Sequence, residues 1–307
     1  MQNKYVRTDL AAECPKIENG EILSGIKVER KTQKGIDVCS VEVLTDEGAR
    51  TVGKPVGRYT TLSFPKLLDD TDVNHESLVS LLSGLLRETS LRLLINNQNP
   101  SILVIGLGNR FLTPDSIGPL AIKGITVTRQ VEKSNAELFS LLNMHSIAAI
   151  SPGVSGQTGI ESFEIVKSTV DSIKPDLVIA IDALASKSVD RLACTIQLGD
   201  NGIAPGSGIG NTKKELSKAT LGIPVIALGV PTMVSSATLV YDALEKAGLN
   251  PTSTGLNPTL SEEKLEELLN NKHNFYVTLN ECDIVVNTLS KVISQAINQA
   301  FSFNHIA

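Results

Sequence analysis

Apolar side chains recur along this chain at two spacings. Between His75 and Leu94, the residues Leu78, Val79, Leu81, Leu82, Leu85 and Leu86 return every three or four positions, which predicts an amphipathic helix. Ser101-Ile-Leu-Val-Ile-Gly106 is instead an unbroken apolar run closed by glycine, the pattern of a strand buried on both faces of a parallel sheet. Leu177 to Ile181 repeats it and exits abruptly on Asp182. Further strands are expected over Ile36 to Leu44, from its β-branched content, and over Cys194 to Leu198 and Ile223 to Leu228. Pro114 suits the first turn of a helix running through Ile122. Other helices are expected over Glu161 to Ile173, Val234 to Ala247, Ser261 to Asn271 and Asn280 to Ala300, and residues 1 to about 24 read as an extended or loosely held arm. Strands alternating with helices imply an α/β fold whose parallel sheet is covered on both faces and carries its sites beyond the carboxyl ends of the strands. No repeat or low-complexity tract interrupts the pattern, so a single domain is expected.

Composition narrows the function. The 307 residues are 41% hydrophobic and 20% charged, enough to bury a large core and to exclude wholesale disorder. The net charge of -5, from 28 basic against 33 acidic residues, supplies no global field for a phosphate backbone and argues against direct nucleic-acid binding. Tryptophan is absent and aromatics are only 4%, which disfavours a stacking surface. The opening MQNKYVRTDLAAECPK lacks the apolar core of a signal peptide, and no later run approaches the roughly 18 apolar residues of a membrane span, so a cytoplasmic protein is expected. Cys14, Cys39, Cys194 and Cys282 are far apart and form no C-x-x-C pair, which leaves them as free thiols.

The glycine motifs stop short of any familiar chemistry. Gly106-Leu-Gly108 has Phe111 where a dinucleotide fingerprint needs a third glycine, and Gly153-Val-Ser155-Gly156-Gln157 ends in Gln where a nucleophile elbow needs Gly. Gly206-Ser-Gly208-Ile-Gly210 lacks the Lys-Ser/Thr of a phosphate loop and reads as a turning loop. Two carboxylates remain. Asp115 follows the strand ending at Gly106, and Asp182 stands at the exit of the next buried strand, so neighbouring parallel strands would bring both to one edge of the sheet. Close like charges push one pKa up and leave the other group ionised, so that one acid can activate water while its partner donates a proton. Either acid alone is more often a helix cap than a catalyst.

The residues around them resemble a known family. VRTDLAAE (Val6 to Glu13), GLGNRFLTPDSIGP (Gly106 to Pro119), VTRQ (Val127 to Gln130) and SPGVSGQTGIE (Ser151 to Glu161) are similar to segments of the germination protease of spore-forming bacteria. KPDLVIAIDALAS (Lys174 to Ser186) and GIGNTKKELSKATLGIPVIALGVPT (Gly208 to Thr232) are similar as well, and VTLNECDIVVNTLSKVISQAINQA resembles the family more loosely. Arg110-Phe111-Leu112 and Asn250 to Asn274 depart from the family pattern. The resemblance implies an endopeptidase that digests small acid-soluble spore proteins in the spore core during germination. It also implies a three-layer α/β/α fold with a mostly parallel sheet, like that of the hydrogenase-maturation proteases, a homotetramer, and synthesis as a self-trimming zymogen. The family's two catalytic aspartates fall on Asp115 and Asp182.

Resemblance also bears on the arm. The family's substrates are cut after an acid that follows Thr and precedes a large apolar residue, then Ala, a small residue and a second acid. Thr8-Asp9-Leu10-Ala11-Ala12-Glu13 has that order. Cleavage between Asp9 and Leu10 is therefore expected, with residues 1–9 as propeptide, 10–307 as the peptidase domain, and a basic side chain holding Asp9. Proteases of the maturation type hold metal through two acids and a later histidine. The histidines here are His75, His145, His273 and His305, none of them between Asp182 and His273, so an acid pair without metal or cofactor is expected. A metal-assisted peptidase of the same fold and a non-catalytic module that binds a protein tail are the alternatives.

Overall fold

The computed structural model describes residues 8–65, 75–95, 97, 99–205, 214–246 and 275–303. Within them the strands are β1 (Ile26–Gln33), β2 (Ile36–Val43), β3 (Gly57–Ser63), β4 (Ile102–Gly106), β5 (Ile147–Ile150), β6 (Leu177–Ala185), β7 (Thr195–Gly199), β8 (Val225–Ser235) and β9 (Tyr276–Val277). They form one sheet in the order β1-β2-β3-β7-β8-β6-β4-β5, with β9 paired to β8. The helices include α1 (His75–Leu93), α2 (Ile117–Ile122), α3 (Ser162–Ile173), α4 (Ser236–Lys246) and α5 (Cys282–Ala300).

Strands β5, β4, β6 and β8 are parallel. Their runs are apolar on both faces because both faces are covered. Ile102, Val104, Ile179, Ile181, Ile226 and Leu228 point into a core shared with α1, α2 and α5, whereas Leu103, Ile105, Val178 and Ala180 pack under Val166 and Val170 of α3. This is the three-layer α/β/α arrangement. Beyond β8 the sheet continues antiparallel through β7, β3, β2 and β1. Edge strand β1 is largely exposed and charged, IKVERKTQ, a composition that discourages further strand pairing.

Residues 8–18 are not the loosely held arm expected from their polarity. Leu10, Ala11, Ala12, Glu13, Cys14 and Ile17 are all buried, and Ala11, Cys14 and Ile17 pack with Val41, Val43, Val52 and Tyr59. The short helix Asp46–Val52 covers part of that face of the antiparallel half through Ala49 and Val52, and this segment packs beside it. A one-turn 3-10 helix at Ala11–Glu13 and a helical turn at Pro15–Glu18 shape it.

Three further departures bear on the site. Strand β6 runs to Ala185 instead of stopping at Ile181, because β8 extends alongside it and keeps Asp182 in the ladder opposite Gly229. Pro114 opens a 3-10 turn, Thr113–Asp115, and helix α2 begins only at Ile117. Strands β1, β3, β5 and β9 appear where none was expected. The helix expected at Ser261 to Asn271 and the loop Gly206 to Gly210 lie outside the described residues.

Candidate active site

The adjacent parallel pair β4 and β6 supplies the two acids. Leu107 N–H, just past β4, donates to Ile181 O of β6 at 2.8 Å, so the chain leaving β4 stays beside β6 as it turns. The turn then folds back over Asp115: Asn109 N–H donates to Asp115 Oδ2 at 2.8 Å, and Thr232 Oγ1 of β8 donates to Pro114 O at 2.6 Å. Gly108 makes the fold-back possible. Its φ is +107°, and a Cβ there would lie 2.1 Å from Asp115 O. Asp182 is 5% exposed, and its Oδ1 accepts from Ala183 N–H at 3.0 Å. Both acids line one cavity of about 300 Å³, together with Asp9, Lys54, Tyr59 and Gln197.

The segment Thr8 to Glu13 enters that cavity, anchored at two carboxylates. Asp9 is joined to Ala185 at the end of β6 in both directions: its N–H donates to Ala185 O at 2.9 Å, and its Oδ2 accepts from Ala185 N–H at 2.9 Å. Lys54 Nζ lies 4.0 Å from Asp9 Oδ1 and donates to Thr8 O at 3.4 Å. Four residues on, Glu13 is 1% exposed and accepts from Ser186 Oγ (3.0 Å), Lys187 N–H (2.8 Å), Ser188 N–H (3.2 Å) and the Thr8 hydroxyl. Arg191 Nε stands 3.2 Å from it. A buried carboxylate is tolerated only with such a full set of donors. Between the anchors, Leu10, Ala11 and Ala12 are buried.

Gln197 of β7 reaches the same stretch of backbone. Its Oε1 accepts from Ala11 N–H at 2.8 Å and its Nε2 donates to Asp9 O at 3.0 Å. Gln197 pairs with Gly229 of β8, and Gly229 pairs in turn with Asp182 of β6. Residues directly opposite across strands share a face, so Gln197, Gly229 and Asp182 form one row, with Gln197 and Asp182 two strand spacings apart, about 10 Å between Cα atoms. A Cβ at 229 would fall 2.3 Å from Leu184 Cδ1, so glycine keeps the middle of the row low.

Burial pulls the Lys54 pKa below 10.5, against the opposing pull of Asp9 and Glu13, and burial raises the Tyr59 phenol. No group of three His, Cys, Asp or Glu side chains among the described residues could hold a metal ion. His145 is packed against Phe301 and Phe303 (ring centroids 5.9 and 4.4 Å). Of the residues expected from sequence, Asp115, Asp182 and Asp9 meet at this cavity, and Leu10 is buried beside them. Lys54, Gln197 and Arg191 were not anticipated. Gln197 carried a readable signal, a lone amide inside the apolar strand Thr-Ile-Gln-Leu-Gly.

The profile of the germination protease family matches residues 5–247. The chain is 38% identical to a germination protease of Caldanaerobacter subterraneus over 309 aligned positions, covering 96% of this chain and 94% of that one. It is 39% identical to a germination protease of Clostridium acetobutylicum with the same coverage of each. Among solved structures it is similar to a [NiFe] hydrogenase maturation protease of Thermococcus kodakarensis, with a TM-score of 0.34 and 15% identity over 69% of this chain and 98% of the other.

Proposed function

The chain belongs to the germination protease family and is a peptidase, and on that premise we propose that it cuts peptide bonds following an acid, using water activated by Asp115 and Asp182. The observation that carries this reading is the seating of Thr8 to Glu13, with Asp9 lining the same cavity as the two aspartates. One carboxylate takes a proton from water as its oxygen attacks the carbonyl carbon of residue 9. The other, protonated, gives its proton to the nitrogen of residue 10 as the C–N bond breaks. The backbone N–H of Asn109 steadies Asp115, and that of Ala183 steadies Asp182.

In this reading the first bond cut is the chain's own, Asp9–Leu10, which makes residues 1–9 a propeptide and the protein a zymogen. Tethering favours it, because a covalently attached segment has a high effective concentration at its own site or a neighbour's. The external substrates are small acid-soluble spore proteins with the same order of residues, met in the spore core by a homotetramer. Lys54 holds the acid before the cut, and Arg191 with the 186–188 backbone holds the acid four residues later.

Mass measurement of the purified protein tests this. Incubation is expected to yield a chain beginning at Leu10, and Asp182→Asn is expected to remain whole. A wild-type chain that never loses residues 1–9, or an Asp182→Asn protein that trims itself in isolation, overturns the reading.

A further inference from the structure

The acid-pair reading leaves the carbonyl oxygen of the cut bond without a donor. Attack on a peptide carbonyl moves negative charge onto that oxygen, and a fixed N–H aimed at it is one of the strongest aids to acyl transfer. The geometry points to Gln197 as that donor: we infer that its side-chain amide is a catalytic group, polarising the carbonyl of the residue before the cut while gripping the N–H of the second residue after it. This rests on the proposed cut between Asp9 and Leu10.

Three observations converge. The donor distance is right: Gln197 Nε2 lies 3.0 Å from Asp9 O, within the range of an effective oxyanion contact. The orientation of the amide is forced, because Ala11 N–H can only donate and so must face Oε1, at 2.8 Å, leaving Nε2 for Asp9 O, which can only accept. Finally, Gln197 is 8% exposed and shares one row of the sheet with Asp182 across Gly229. A segment bonded to Ala185 at the end of β6 and to Gln197 on β7 must pass over β8, the strand between them. The residue before the cut is thus held from both sides, by Ala185 and by Gln197, with Asp182 on the same row of the sheet as Gln197.

The step balances without any added reagent. Water's oxygen bonds to the carbonyl carbon, Gln197 Nε2–H donates to the oxygen as it gains charge, and that charge returns when the C–N bond breaks and the leaving nitrogen is protonated by the acid pair. Gln197 itself gains and loses no proton.

The test is a peptide spanning residues 5 to 16, cut by the processed enzyme and by Gln197→Met, which keeps the side chain's length and neutrality but not its donor. A second peptide carries a thioamide at the Asp9 carbonyl, whose sulfur is a poorer acceptor. The expected result for Gln197→Met is a kcat about 10²- to 10³-fold lower, the usual loss for one such donor, with KM shifted only severalfold. The wild-type preference for the oxygen peptide over the sulfur one is expected to shrink in the variant. A structural role alone would lower kcat with that preference unchanged. Should Gln197→Met melt early, Gln197→Asn, which withdraws the amide by one carbon, is read by the same preference. A wild-type enzyme that cuts the peptide, together with variants retaining wild-type kcat or the full preference, overturns the role of Gln197 alone. A wild-type enzyme that cuts neither peptide overturns the cleavage reading and this role with it.

Discussion

On the parallel side of β8, Asp115 lies in the turn after β4, and Asp182 stands inside β6, three residues before its end at Ala185. On the antiparallel side, the groups that touch the N-terminal segment rise from mid-strand or from the loop leading into β3, as Gln197 and Lys54 do. The first arrangement follows from topology, because parallel strands deliver their loops to one edge. The second depends on single polar side chains set into an otherwise apolar layer. In the proposed mechanism the contrast separates two tasks: the proton-transfer groups come from the parallel half alone, whereas the template that fixes the backbone draws on Gln197 from the antiparallel half as well as on Ala185.

The sharpest way to break this division is to remove proton transfer and leave the template. Asp115→Asn and Asp182→Asn are each expected to lower kcat by at least about 10³-fold, near the upper range for acid–base groups, with little change in melting temperature. Cleavage near the wild-type rate in either variant removes that acid from the mechanism. Disturbing the template is expected to cost less. Lys54→Met is expected to lower kcat/KM by about 10- to 100-fold for a peptide with Asp before the cut, the worth of a contact to a charged group. It should hardly change the rate for the matching Asn peptide. Equal losses on both peptides would show that Lys54 supports the fold without reading the acid.

The other anchor affects order more than rate. Glu13→Ala is expected to leave Arg191 without its buried partner and to free residues 9–17. Faster hydrogen exchange confined to that segment, with melting lowered by only a few degrees, is the expected pattern. Unchanged exchange there would mean that packing alone holds it.

A subtler effect concerns pH. Lys54 in the folded chain loses its proton below 10.5, the ordinary lysine value, because burial disfavours its charge. As pH climbs from the depressed value toward 10.5, the unfolded chain binds more protons than the folded one, so the Lys54 contribution to stability rises. Over the same window the neutral amine lets go of the acid, so cleavage of the Asp peptide is expected to fall. Melting and rate that move together across this window, in wild type but not in Lys54→Met, would contradict the assignment. The smallest expected effect is that of chelation: EDTA is expected to leave kcat unchanged in samples whose assembly state is checked alongside, and loss restored by one divalent ion would add a metal to the parallel side.

The two halves were unequally legible in the sequence. Runs such as Leu177 to Ile181 announce buried parallel strands because both faces meet helices, and an acid at the end of such a run stands out. The antiparallel strands do not announce themselves: β1 is mostly polar because it lies at the edge, and β3, Gly-Arg-Tyr-Thr-Thr-Leu-Ser, mixes residue types because threonines fill its interior positions. Polarity misled at residues 8–18, where Asp9 and Glu13 are polar in order to satisfy partners 170 or more residues away, as Asp9 does with Ala185 and Glu13 with Ser186. Such pairings depend on the tertiary fold, and local spacing carries no trace of them.

Strand β8 sets the tolerance of this site to insertions and deletions. Its residues alternate between faces, with Leu228 and Val230 in the core and Gly229 between them in the row of Asp182 and Gln197. A slip of one position would bring a leucine or a valine into the middle of that row and turn glycine inward, filling the cavity floor and hollowing the core in one event. Length changes are therefore tolerable in the loops on either side of β8, yet within the strand only paired changes that restore the frame can survive. Related chains that differ freely in loop length are expected to count the same number of residues from Val225 to Gly229.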